Sequence, residues 1–187
     1  MSTSPGFTLA SLVSTTEYDF NLLVSCPWGQ YTKARAEIAR ILADLGDRQP
    51  KIQRTLARGI IGVTTCLNPR YIIRSIHALS EEDCSAIQHT LKWAPIDYWT
   101  ASDMESIKEG VGRLRGMIQH GESWRMTVEK RRYTAFHTID IIRKVAELID
   151  EKVDLEYPKK IVRIELIGGN AGISVLKPEE IFSATKA

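Results

Sequence analysis

An α/β chain, α+β in the way its strands and helices group, is predicted by three features of this sequence. Short apolar runs bounded by turn residues recur in the first half, segments between them carry apolar residues at helical spacing, and an alternating apolar hairpin comes near the end. A chain of 187 residues can bury one good core or two small ones. The pattern divides into a polar tail over residues 1–18, a first unit over 19–84 and a second over 85–187.

The first unit opens on DFNLLVSC (19–26), a continuous apolar run that reads as a central strand, and PWGQ turns the chain after it. Thr32 is the expected cap of a helix in which Ala34, Ile38, Ile41, Leu42 and Leu45 share one face before Gly46 ends it. ARGIIGVTTCL (57–67) is a second strand. After Asn68 and Pro69, the stretch RYIIRSIHALS predicts a helix that turns Ile72, Ile73 and Ile76 inward. This β-α-β-α succession points to a ferredoxin-like unit ending near residue 84.

The second unit begins with a segment extended around Pro95. Ser102, with Glu105 three residues on, is the expected cap of a helix that Gly110, Gly112 and Gly116 weaken. SWRMTVEKR (123–131) alternates, with Trp124, Met126 and Val128 on one side and Arg125, Thr127 and Glu129 on the other, and so predicts a strand with one buried face. A helix from about Thr138 should bury Ile139, Ile142, Val145, Ala146 and Ile149, with Asp140–Lys144 and Arg143–Glu147 paired outside. Finally Val162, Ile164 and Leu166 alternate inward, Gly168, Gly169 and Asn170 turn the chain, and Ile173 and Val175 return. Those glycines open no helix and precede no Lys with Ser or Thr, so they read as a turn and not a phosphate loop.

Several classes of function are disfavoured. No apolar run approaches the roughly 20 residues of a membrane helix, and the N-terminus lacks the basic start and dense apolar stretch of a signal peptide, so a soluble, cytoplasmic protein without a membrane partner is expected. Cys26, Cys66 and Cys84 are odd in number and form no C-x-x-C pair; they read as buried small hydrophobes. His77, His89, His120 and His137 lack the spacing that sets two imidazoles on one helix face, so neither a metal nor a cofactor is expected. The acidic pairs Glu81–Glu82 and Glu179–Glu180 read as surface. No nucleophile, base and orienting group assemble from motifs, so no catalytic residue is assigned and the chain is not read as an enzyme.

Charge is distributed unevenly along the chain. Residues 110–133 carry six Lys or Arg against two Glu, a local +4; residues 33–58 carry seven against three acids, again +4; residues 81–109 carry two against seven, a local −5. The cluster Lys130, Arg131, Arg132 stands where strand turns to helix, without the local acids available to Arg143 and Lys144. Two readings follow: solvated surface charge, or a phosphate contact on a nucleic acid.

The run WRMTVEKRRYTAFHTIDIIRKVAELI, followed by VDLEYP with Val153, Asp154, Leu155 and Pro158, and then by IVRIELIGGNAGISVL, resembles the THUMP domain. That module is named after thiouridine synthases, RNA methyltransferases and pseudouridine synthases. The preceding half is similar to the ferredoxin-like domain that often accompanies it. The resemblance implies RNA binding, specifically of tRNA at its acceptor stem and 3′ end, with the family's basic elbow falling on Lys130, Arg131 and Arg132. Tyr133 or His137 can stack on a base, and Arg113, Arg115, Lys159 and Lys160 complete the expected RNA-binding set. A THUMP chain with an FNLLVSC start and only PEEIFSATKA after the hairpin resembles the adaptors that help an RNA acetyltransferase form N4-acetylcytidine in tRNA. No Arg/Gln-x-x-Gly-x-Gly/Ala loop for acetyl-CoA is present, so the implied role is tRNA presentation to a partner RNA acetyltransferase. The acidic stretch from Glu81 to Glu109 is the better place for that partner. Two alternatives stay open: a recognition subunit of a methyltransferase or thiolation complex, and a protein-interaction module whose basic blocks are simply solvated.

Overall fold

The computed structural model describes residues 18–184, so the expected tail lies almost wholly outside the described residues. The first unit runs β1 (Leu22–Ser25), α1 (Tyr31–Asp44), β2 (Lys51–Arg54), β3 (Ile60–Thr64), α2 (Pro69–Glu82) and β4 (Lys92–Pro95). Its strands lie in the order β2-β3-β1-β4 and every neighbouring pair is antiparallel, the ferredoxin-like split βαβ arrangement. β2 had no sequence signal: only Ile52 among its four residues is apolar, and as an edge strand it carries Lys51 and Arg54 toward solvent. A last short strand, β9 (Phe182–Ser183), adds to β4 with Trp93 opposite Phe182.

The apolar run of β1, Leu22 to Val24, is buried because both faces of the strand are covered. Leu22 and Val24 enter a core with Ile38 and Leu42 of α1 and Ile72, Ile73 and Ile76 of α2, while Leu23 points the other way, into a second cluster with Phe20, Ile96 and Ile167. Truncating a fully buried residue such as Ile76 to Ala costs about 2–5 kcal/mol. Gln30 holds the cap position before helix α1 without a side-chain hydrogen bond, so Thr32 is not its cap; it already lies inside the helix. Helix α2 has the start its sequence suggests, with Pro69 at the first turn and the Asn68 side chain accepting from Arg70 N at 2.9 Å.

The second unit runs β5 (Tyr98–Ala101), α3 (Met104–Leu114), β6 (Trp124–Arg131), α4 (Thr138–Ala146), β7 (Lys160–Ile167) and β8 (Asn170–Leu176), in the sheet order β5-β8-β7-β6. Only two residues, Ile96 and Asp97, separate β4 of one sheet from β5 of the other. The expected division at residue 84 therefore falls short of the first sheet's edge, which takes in Lys92–Pro95 and, from the far end of the chain, Phe182–Ser183. β6 and β7 are parallel, and α4 is the crossover that a parallel pair requires. Asp103, not Ser102, caps α3, accepting from Ser106 N at 2.9 Å; Ser102 instead donates to Gly168 O at 3.0 Å. Gly110 lies close against β8, where a Cβ would press on Ile173 Cδ1.

Helix α4 keeps Val145, with Ile149 just beyond its end, on the buried side as expected and leaves Ile142 and Ala146 half-buried, but Ile141 takes the core place expected of Ile139. Ile141, Val145 and Ile149 are buried while Ile139 is exposed, and neither Asp140–Lys144 nor Arg143–Glu147 is among the ion pairs of the described residues. The hairpin between β7 and β8 closes on Ile167–Asn170 with only Gly168 and Gly169 between, and the positive φ of Gly168 (59°) is the first central position of a two-residue turn. Cys26 is buried as expected, but Cys66 and Cys84 are exposed. Glu180 is likewise not simple surface, since it pairs with Arg70 at 3.3 Å. Among the described residues no helix is long and apolar enough to cross a membrane, and no group of three His, Cys, Asp or Glu is placed to hold a metal.

Candidate nucleic-acid interface

The elbow lies at the carboxyl ends of β6 and β7, where the chain leaves a parallel pair and enters α4. There the chain diverges from the sheet and a helix begins, so its first amides are free of the strand ladder. Three hydrogen bonds fix the elbow to its surroundings. Gly168 N donates to Arg131 O at 3.0 Å, tying the elbow to the hairpin turn. Lys130 Nζ donates to Phe136 O at 2.7 Å, spanning the loop at its base. The Tyr133 hydroxyl donates to Ser102 O at 2.8 Å, bringing the start of α3 alongside.

The three elbow cations are not equivalent. Arg131 pairs with the buried carboxylate of Glu165, which also accepts from Arg163, and lies 3.7 Å from Glu129. Lys130 is held by its carbonyl bond and stands 5.7 Å from the centroid of the Tyr133 ring. Arg132 is exposed, and its guanidinium makes no ion pair or hydrogen bond among the described residues. Its backbone takes a left-handed φ of 52°, at a position with an ordinary Cβ, which is unfavourable by roughly 1 kcal/mol or more unless the surroundings impose it. The bonds on either side, from Gly168 to Arg131 and from Tyr133 to Ser102, supply that constraint.

The remaining expected residues divide by place. His137 is exposed at the start of α4, close in the chain to the elbow, and gives the helix no side-chain cap. Tyr133 is only 9% exposed and packs in the second unit's core with Ile141 and Leu166, so its ring is not open to stack on a base. Burial, and then the charge of Asp103, raise its phenol above the ordinary value. Lys159 and Lys160 lie at the opposite end of the sheet, because Lys160 stands beside Trp124, the first residue of β6, whereas Ile167 stands beside Arg131. At about 3.3 Å per residue the two ends are roughly 23 Å apart. Lys160 is 3.8 Å from Glu122, while the exposed Lys159 side chain has no partner among the described residues. Arg115 reaches Leu148 O at 3.4 Å, beyond the C-terminal end of α4. Arg113 pairs with Glu109 and lies 5.1 Å over the Tyr98 ring. The structure therefore groups Lys130, Arg131, Arg132 and His137 at one end, and Arg115, Lys159 and Lys160 toward the other.

Sequence reasoning did not find the charged layer between the two sheets. Arg163 and Glu165 occupy the alternate positions of β7 that an amphipathic strand gives to water, yet both are buried, because the first sheet covers that face. Lys92 of β4 faces the same layer, and burial, then the Arg163 guanidinium, push its ammonium below the ordinary value. Farther along, Arg70 of α2 makes a two-pronged bond to Asp97 (2.7 and 2.9 Å) and reaches Val175 O at 3.1 Å, fastening the first unit to β8. Their signal in the sequence was only charge at unremarkable places.

Residues 101–176 match the THUMP domain. No curated protein matches the sequence. Among solved structures the chain is similar in fold to PH1313 from Pyrococcus horikoshii Ot3, at 14% identity and a TM-score of 0.64, covering 85% of this chain and 55% of that one. It is also similar to TrmN from Thermus thermophilus, at 13% identity and a TM-score of 0.58, covering 86% and 47%. A 4-thiouridine synthetase in complex with RNA and bound ATP is a third, at 11% identity and a TM-score of 0.55, covering 89% and 42%. The chain thus spans about half the length of these proteins.

Proposed function

We propose, from the premise that residues 101–176 form a THUMP domain, that this chain binds tRNA in the course of tRNA modification. On this proposal it holds the acceptor stem and 3′ end and presents the tRNA to a partner RNA acetyltransferase that forms N4-acetylcytidine. The domain supports the RNA-binding half, as does the RNA held by the similarly folded 4-thiouridine synthetase. The observation that carries the reading is Arg132, an exposed guanidinium in a strained backbone position at the carboxyl end of a parallel strand pair. A cation so placed gains little for the fold and is open to a phosphate, whose condensed counterions it would release. Lys130 and His137 flank it, and Lys159 offers a second phosphate contact some way along the same unit.

The proposed role is positioning. Holding the tRNA while the partner holds the target base makes their encounter intramolecular, and that benefit vanishes when either contact is cut. The buried carboxylates support this reading, for they are occupied in the fold. Glu37 accepts from the amides of Gln88, His89 and Thr90; Asp47 accepts from Gln49, Thr65 and Cys66; Glu165 holds two arginines.

The test is reconstitution with purified RNA acetyltransferase and a tRNA transcript. N4-acetylcytidine should form slowly until this protein is added, and the Lys130→Ala/Arg132→Ala variant should restore little of it while remaining folded. Stimulation of a methyltransferase or a thiolation enzyme, with none of the acetyltransferase, would reassign the partner. Modification by the chain alone would overturn the positioning role.

A further inference from the structure

We propose that a cleft on the first unit, walled by Trp28, Tyr31, Arg54, Leu56 and Arg58, is a second RNA contact that takes one unpaired nucleotide. Its base would lie on the Trp28 indole and its phosphate on the arginines. This inference rests on the RNA-binding reading above but uses none of the elbow residues.

Trp28 is 79% exposed, in contrast to Trp93 and Trp124, which are buried, and to Trp99, which donates to Phe20 O at 2.6 Å. Displaying an indole in water forgoes a large hydrophobic gain. The loop that displays it is fixed: Gln30 N donates to Pro27 O at 3.1 Å, Cys26 N donates to Gly59 O at 2.9 Å, and Gly29 takes the positive φ (78°) that the turn requires. The ring is therefore free while its support is not, which is the arrangement a stacking platform needs.

The chemistry opposite the indole matches. The Arg54 guanidinium lies over the Tyr31 ring at 3.6 Å, so it is already oriented as a flat surface beside the cleft. Arg58 stands exposed at the tip of the β2–β3 turn, and among the described residues no Asp or Glu lines the cleft. The volume is about 440 Å³, within the range of small-ligand sites. Two arginines without a carboxylate suit a phosphate better than a protein surface, where both signs would be met. An aromatic face beside them suits any base.

The cleft is also within reach of the elbow. Leu56 on its rim packs against the hairpin turn, its Cδ1 lying 3.1 Å from where a Cβ on Gly168 would stand, and Gly168 N donates to Arg131 O at 3.0 Å. A single RNA can pass from one to the other, its duplex on the elbow and its unpaired end in the cleft.

The test compares a blunt RNA hairpin with the same hairpin carrying four unpaired 3′ nucleotides. The overhang should tighten binding to the natural chain and quench its tryptophan emission. Trp28→Leu should melt normally, because the side chain is exposed. It should lose the quenching and bind the overhang hairpin roughly 5- to 150-fold more weakly, the equivalent of about 1–3 kcal/mol for a stacked base, with blunt binding unchanged; Trp28→Phe should retain most of the affinity. Arg58→Ala should lower the salt slope for the overhang hairpin by about 0.7. Overhang binding unaffected by Trp28→Leu, or lost equally for both hairpins, would overturn the assignment while leaving the elbow reading intact. Normal RNA binding with loss of the partner enzyme would move the cleft to a protein. If the natural chain bound neither hairpin, both this inference and the RNA-binding reading would fall.

Discussion

The layer between the two sheets and the rim at the elbow use the same residue type in opposite ways. Between the sheets, Arg163 is 4% exposed and joined to Glu165, which also takes Arg131; outside that layer, Arg70 of α2 spans the units with both prongs on Asp97. At the rim, Arg132 is exposed and has no such partner among the described residues. Arg131 and Arg132 are neighbours in the chain, yet one belongs to the layer and the other to the rim. A charge removed from water must be matched by a partner and by hydrogen bonds, whereas one left in water needs neither and stays available to an incoming anion. Position on the strand therefore decides which cation builds the protein and which can serve a ligand.

The layer depends most on Glu165. Replacing it with Ala leaves two guanidinium groups in the layer without their carboxylate, and a loss of about 3–5 kcal/mol in urea unfolding is expected. Below the new midpoint the salt slope for RNA should stay as it was, since the layer does not face the ligand. Replacing Arg163 and Glu165 together with apolar residues of similar volume should recover most of that stability. A large change in salt slope for the folded Glu165→Ala protein would put the layer in the binding surface.

This contrast also explains what the sequence could reveal. Apolar positions with a clean period, such as Ile72, Ile73 and Ile76 or Val162, Ile164 and Leu166, are buried as expected, because one face of each element meets one core. The pattern failed where a second surface intervenes. Arg163 and Glu165 alternate outward on β7, and only the packing of the other sheet makes that direction an interior. β2 failed for the reverse reason, since an edge strand with one apolar residue has almost no periodicity to read. Of the candidate site, the elbow's location was legible from its composition. Its inequality was not, because the partner of Arg131 lies 34 residues away on β7.

Tyr133 lies on the interior side of the same boundary. It sits one residue beyond Arg132, but its hydroxyl is bonded to Ser102 O and its ring is in the core. Tyr133→Phe should cost about 0.5–1.5 kcal/mol through the lost hydrogen bond, with RNA affinity unchanged. The pH response gives a second readout. Because the folded phenol has its pKa raised above the ordinary tyrosine value of about 10, the folded chain holds this proton where the unfolded chain releases it. The associated stability is fully present below pH 10 and is lost as pH rises through the folded pKa. Tyr133→Phe should abolish that part of the alkaline loss, and an unaltered alkaline profile would place the titration elsewhere.

The smallest effect on stability, and the most informative, is expected at Arg132. Glycine accepts a φ of 52° without the Cβ penalty but enlarges the freedom of the unfolded chain, and the two effects, each about 1 kcal/mol, oppose one another. Alanine keeps the penalty and removes only the charge. Both Arg132→Gly and Arg132→Ala should therefore unfold within about 1 kcal/mol of the natural protein, since no partner of the guanidinium is lost. Both should nevertheless weaken tRNA binding and lower the salt slope by about 0.9 if the phosphate belongs to a duplex, or about 0.7 if it is single-stranded. Agreement between the two variants assigns the loss to the charge. A loss in Arg132→Gly alone would assign it to the fixed backbone that presents the elbow, and normal binding by both would remove Arg132 from the interface.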